Sequence, residues 1–250
     1  MRAIEIAEYL DDLLKVAAVP DYPGAHNGLQ VESAAKVNKV AFAVDATQAS
    51  IDEAIAQGAN LLVVHHGLFW DGAVAVTGRR YKRLRSLILA DVALYSAHLP
   101  LDVHPELGNN AILARELGIE IQGSFGEYKG LPVGVWGKLE LRREALAARL
   151  DELLGGRVRM IPGGPDRIRT AGVITGGAGS QVQAAQAVGL DAFITGEGAH
   201  NNFFDATEGG VNLYFGGHYA TETWGLRALA DKLATDLELE TFFIDQPTGL

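Results

Sequence analysis

The run Leu61-Leu62-Val63-Val64 ends in His65-His66-Gly67. Imidazole titrates near neutral pH and is the commonest metal ligand, so the pair invites a search for further donors. Three other segments supply them: His98 with Asp102 four residues on, Glu197 at the end of ITGE, and His218 with Glu222 four residues on. A set of imidazoles and carboxylates without sulfur suits divalent Zn, Mn, Fe, Co or Ni.

An internal repeat relates these segments. Aligning Gly58 with Gly189, an offset of 131, lays AFAVDATQASIDEAIAQGANLLVVHHG on GVITGGAGSQVQAAQAVGLDAFITGEG without a gap and sets His66 opposite Glu197. Farther on, Val92-x-Leu94-Tyr95 leads to His98 and Asp102, and Val211-x-Leu213-Tyr214 leads to His218 and Glu222, the two pairs sharing an offset of 120. Two equivalent carboxylates with three or four histidines suit a dinuclear centre, and paired ions activate water for hydrolysis. Singly, the same residues have plainer roles. A histidine at a strand end is ordinarily a surface or capping group, and His218 with Glu222 is ordinarily an exposed i,i+4 contact on a helix face. The convergence of four segments favours the metal. In HLPLD, Pro100 disfavours a regular helix, so His98 and Asp102 are expected to meet through a loop.

Other features are weaker. GGAGS (176–180) follows a strand and opens a helix, but it lacks G-x-G-x-x-G spacing and a P-loop lysine, so a tight turn is expected rather than a phosphate cradle. Asn27-Gly28 reads as a turn. Phe69, Trp70, Phe203, Phe204 and Trp224 flank the donors in sequence, with core packing as the default and walls for a planar substrate as the alternative. No G-x-S-x-G is present, so a serine-hydrolase elbow is not indicated.

The donors must be positioned by alternating elements. Strands are expected at 39–44, 60–64 and 92–97, with helices over 50–57, 79–90 and 106–117. VGVWGKLEL alternates like an exposed edge strand, REALAARLDELLGG reads as a helix, and the β-α-β pattern resumes at 170–175. This predicts an α/β fold, three-layer α/β/α with mostly parallel sheets, in two pseudo-symmetric halves. The halves are placed at 1–125, with the HH and HxxxD motifs, and 126–250, with the GE and HxxxE motifs. GGRVRMIPGGPD (155–166) is the most loop-like stretch and the preferred seam. In such sheets ligands sit beyond the carboxyl ends of the strands.

Bulk properties narrow the function class. The net charge of −10 without a basic block argues against nucleic acid as the main partner. The absence of cysteine removes thiolate sites and disulfides and fits a cytoplasmic location. The N-terminal segment reads as an amphipathic helix rather than a signal peptide, and no apolar run approaches the ~20 residues of a membrane span.

With these residues in hand, the chain resembles the Nif-three-like family, often labelled GTP cyclohydrolase I type 2 homolog. The resemblance runs nearly end to end, through NGLQV (27–31), VVHHGLFW (63–70), YSAHLPLD (95–102), GNNAILA (108–114), GGAGS, ITGE (194–197) and GGHYATETWGLRAL (216–229). It implies a dinuclear metal site carried by His65, His66, Asp102, His218 and Glu222, with two divalent ions per chain. It also implies a ring-like homohexamer whose sites face an internal cavity. His98 and Glu197 match positions close to the metals, which implies supporting or proton-transfer roles. Longer relatives insert a domain near the middle, and this chain reads as the compact form. Asn201 stands where some relatives carry a second histidine after the match to His200, which weakens His200 as a ligand.

The function expected is therefore a metal-dependent hydrolase acting on a nucleotide-like or other small polar substrate, with cyclohydrolase-type ring opening as one form. The alternative is a non-catalytic metal-binding or partner-binding ring protein, a metal carrier or regulatory scaffold.

Overall fold

The computed structural model describes residues 1–156 and 158–249. In chain order the first elements are α1 (Ala3–Leu14), β1 (Gly28–Val31), β2 (Lys39–Asp45), α2 (Gln48–Ala56), β3 (Leu61–His66), α3 (Gly78–Ala90) and β4 (Ala93–Ser96). They continue with α4 (Leu99–Asp102), α5 (Asn109–Glu116), β5 (Glu120–Tyr128), β6 (Leu131–Arg142), α6 (Arg143–Leu154), β7 (Arg159–Pro162) and β8 (Arg167–Val173). The last are α7 (Val182–Val188), β9 (Ala192–Thr195), α8 (Asn202–Gly209), β10 (Asn212–Phe215), α9 (His218–Thr221), α10 (Thr223–Leu237) and β11 (Glu240–Phe243).

These elements form two compact α/β units. The first comprises Met1–Leu101 and Gly225–Gln246, and the second is built from Asp102–Trp224. In the first, the sheet order is β1-β4-β3-β2-β11. β4, β3, β2 and β11 are parallel and β1 is antiparallel to β4. β2 and β3 are buried without alternation, the pattern of strands covered on both faces. One side of the core gathers Ala41, Ala43, Leu62, Val64 and Leu94 with Ile51 and Leu87. Thr47 caps α2 by accepting the Ser50 backbone N–H at 3.0 Å, and Ser50 Oγ takes the Thr47 N–H in return.

In the second unit the order is β5-β6-β8-β9-β10-β7. Its centre β8-β9-β10 is parallel, and the pairs β5·β6, β6·β8 and β10·β7 are antiparallel. The core joins Leu113, Leu117, Leu146, Leu150, Ala171, Ile194 and Tyr214.

The repeat holds at the level of strand topology. β4-β3-β2 and β10-β9-β8 are parallel triples, each flanked beyond its third strand by an antiparallel strand that precedes the triple in the chain, β1 or β7. Register agrees: Leu61 pairs with Ala93, and Ala192 with Asn212.

Several local expectations are corrected. VGVWGKLEL lies in β6, which is not an edge strand but runs between β5 and β8. Its alternating burial reflects one open face rather than an open edge. Within the expected loop 155–166, residue 157 lies outside the described residues, and Arg159–Pro162 is strand β7. Pro100 sits inside the short helix α4, in the first turn, where the missing N–H has no helical acceptor to lose.

Candidate metal centre

β3 continues through the histidines, and Asp45 at the end of β2 pairs in register with His66. The side chains of His65, His66 and His98 gather in the first unit, each offering one ring nitrogen within 4.8 Å of the others. Their ring centroids are 4.8, 5.0 and 5.7 Å apart. In every ring Nδ1 faces an oxygen: His65 the Ala97 carbonyl at 2.8 Å, His66 the Asp45 carboxylate at 2.9 Å, and His98 the Asp21 carboxylate at 2.9 Å. A carbonyl or ionised carboxylate can only accept, so each Nδ1 carries the proton and Nε2 is left as the basic nitrogen. That is the arrangement by which proteins orient metal-binding histidines, and the donor set fits a divalent transition ion.

The loop before the site is built around the same rings. Asp21 Oδ2 accepts the Leu99 N–H and the Asn27 side-chain amide, while Asn27 Oδ1 accepts the His98 N–H at 2.7 Å. Burial raises the Asp21 carboxyl, but the hydrogen bond and charge of His98, with those from Asn27 and the Tyr22 N–H, outweigh it and hold the group below its ordinary value. Gln30 accepts the Leu68 N–H at 2.8 Å, and a Cβ on Gly67 would lie 2.2 Å from the Gln30 amide. The glycine after the histidines thus leaves the room that the side-chain amide of Gln30 occupies.

In the second unit, Glu222 is 3% exposed and follows α9 directly. His218 Nδ1 donates to Glu197 at 2.8 Å, and Nε2 lies 3.2 Å from Glu222 Oε1. The Glu222 hydrogen bond, with the charges of both carboxylates, outweighs burial and pushes the His218 imidazole up to about 9. The two residues are not on one continuous helix as their spacing implies, since Glu222 falls between α9 and α10. GGAGS folds against this pair: a Cβ on Gly176 would sit 2.1 Å from Glu222 Oε1, at φ +68°. The turn is shaped around a carboxylate.

Asp102 is buried in the second unit with the GNNAILA asparagines. It accepts the Asn109 amide at 2.9 Å, and Thr175 Oγ1 lies at 3.4 Å. Asn110 donates to the Asp102 and Val133 carbonyls and accepts the Thr175 N–H at 2.7 Å. His65, His66 and His98 are thus together in one unit, and His218, Glu222 and Glu197 together in the other. Asp102 has its own polar cage. Asp21, Asp45, Asn109, Asn110 and Thr175 were not anticipated. Asp45 had a signal, an apolar strand ending in a polar residue at a parallel sheet's carboxyl end; Asp21 lies in a loop with none. Of the flanking aromatics, Phe69 and Trp224 pack on the cores, whereas Trp70, Phe203 and Phe204 are exposed.

Comparison with known proteins identifies the family. The family described as Duf34/NIF3 (NGG1p interacting factor 3) matches residues 1–249. A Deinococcus radiodurans protein named GTP cyclohydrolase 1 type 2 homolog is 41% identical over 98% of this chain and 94% of its own length. A Halobacterium salinarum protein of the same name is 43% identical, with both chains fully covered. Among solved structures, protein ybgI, described as of unknown function, is similar with a TM-score of 0.94 at 39% identity over 100% of both chains. Reduced HcgD from Methanocaldococcus jannaschii gives 0.86 at 25% identity over 98% of each. No helix among the described residues is long and apolar enough to cross a membrane.

Proposed function

The chain belongs to the DUF34/NIF3 family, and on that premise we propose that it is a dinuclear metal-dependent hydrolase acting on a nucleotide-like or other small polar substrate. His65, His66, Asp102, His218 and Glu222 are the proposed ligands of two divalent ions, with Zn, Fe, Mn, Co and Ni as the metals that suit them. The observation that carries the reading is that His65 and His66 both commit Nδ1 to oxygen acceptors, which leaves each Nε2 for an ion, with the Asp21-held His98 beside them.

Bound ions of this kind supply Lewis acidity to hydrolysis. The chain's own residues handle protons and position. Asp21 keeps the His98 proton on Nδ1, so Nε2 can take a proton from water or substrate, and the carboxylate stabilises the imidazolium that results. Glu197 holds the Nδ1 proton of His218 in the same way. The name shared by the relatives puts ring-opening hydrolysis of a purine nucleotide first among the reactions to assay.

Metal content per chain, by plasma mass spectrometry on protein purified without chelator, tests the reading. The expected result is about two ions per chain, falling in Glu222→Ala, whereas His98→Ala keeps its metal and loses turnover. Loss of metal in His98→Ala would make His98 a ligand. A wild type that takes up no metal on reconstitution would sink the proposal, and metal without turnover on a broad panel would favour the carrier or scaffold.

A further inference from the structure

A cavity of about 210 Å3 opens in the first unit at the carboxyl ends of β2 and β3, next to His66. Asp45 and Thr47 line it from the β2–α2 junction, Trp70 and Asp71 from the loop after β3, and Arg79, Arg80 and Arg83 from the start of α3. Three guanidiniums against two carboxylates leave the lining cationic, inside a chain whose net charge is −10.

The arginines are not equivalent. Arg80 is buried and holds the loop together by donating to the Leu68, Gly72 and Val74 carbonyls. Arg79 meets only Asp71 at 3.6 Å among the ion pairs of the described residues, with the two side chains 77% and 56% exposed, too loose and wet to fix either. Arg83 has its Nε buried with no hydrogen-bond partner among the described residues. Burial, and then the Arg79 charge, lower the Arg83 guanidinium from its ordinary value.

The first two turns of α3, GRRYKRLR, also run against helix electrostatics. They carry five cations and no acid at the positive end of the helix dipole. The Asp45 and Asp71 carboxylates act on Arg83 in the opposite sense, but cations crowded at the positive end of a helix are offset more fully by an anion bound among them.

We infer that this cavity is an oxyanion subsite in which Arg79 and Arg83 hold a phosphate group of the substrate beside His66. Trp70, 38% exposed in the same lining, offers a ring face for a planar group attached to that phosphate. Assigning the phosphate to a substrate rests on the hydrolase reading; anion binding by the arginines does not.

The test titrates inorganic phosphate into the full-length protein as purified, by calorimetry, with metal content measured on the same samples. Wild type is expected to bind, and the double variant Arg79→Gln/Arg83→Gln to lose about tenfold or more in affinity with unchanged metal content. Arg83→Lys should retain part of it, since the charge survives without the fork. Arg85→Gln, on the same helix but outside the cavity, should match wild type. No binding by wild type, equal affinity in the double variant, or equal competition by acetate at matched ionic strength would overturn the phosphate site. Arginine-dependent phosphate binding in a protein that holds no metal would leave the subsite standing and remove the hydrolase instead.

Discussion

At the scale of single residues, the two glycines that open GGAGS have different duties. Gly176 has φ +68°, and a Cβ there would meet Glu222 Oε1 at 2.1 Å. Gly177 has neither constraint, its nearest neighbour being Glu197 Oε1 at 3.5 Å. Gly176→Ala should therefore add about 1–3 kcal/mol of backbone strain and displace a buried carboxylate, lowering both the unfolding midpoint and the metal retained. Gly177→Ala should change neither appreciably. Thermal unfolding with metal analysis of the two variants reads the difference; equal behaviour would mean that Glu222 can move at little cost. Residue types carried the donors in the sequence because histidines beside glycine after an apolar run are unusual. They could not carry Asp21, which reaches His98 across a sequence separation of 77 residues from a loop without periodicity.

Elements were legible where a pattern has one cause. The continuous apolar runs in KVAFAV and NLLVV make β2 and β3 plain, and the β-α-β alternation predicts parallel pairing. β5 carries no strand signal because Gly123 and Gly126 break its apolar content, and without it β6 reads as an edge. Alternation reports which face is wet and says nothing about whether a neighbouring strand exists. Connections between distant elements are also invisible in sequence: Tyr9 of α1 donates its hydroxyl to Asp236 of α10. Burial, then this bond and the Asp236 charge, push the Tyr9 phenol up to about 12. The unfolded chain loses that proton near pH 10, so the folded state holds it more tightly, and the stabilisation is complete below pH 10 and disappears as pH rises through 12. Tyr9→Phe should cost under about 1 kcal/mol at pH 8, because the bond is solvent-accessible, and the gap from wild type should close by pH 12. Denaturant unfolding of both proteins across that range is the check. A gap that stays constant would show that the ring's packing, rather than the hydroxyl, ties the helices.

At the scale of the whole molecule, total charge does not report the local field. A chain of net charge −10 still gathers three arginines in one cavity, because composition sums over a surface that a fold divides. Apolar exposure has the same local meaning. Ile88 and Leu89, adjacent near the end of α3, are 63% and 67% exposed, and the exposed rings of Phe203 and Phe204 lie 5.4 Å apart. Single exposed apolar side chains are ordinary, whereas adjacent ones mark surfaces that associate. A homohexamer, which the family resemblance implies, would give them a partner of the same chemistry, since closed symmetric assemblies bury the same patch on every copy. Light scattering on purified protein should then give the mass of a hexamer of 26.6 kDa chains, stable to dilution. Ile88→Asp/Leu89→Asp should lower it, because charge at a buried contact cannot be left unpaired. A monomer at every concentration would return these residues to ordinary surface and require the proposed metal and phosphate sites to be built within a single chain.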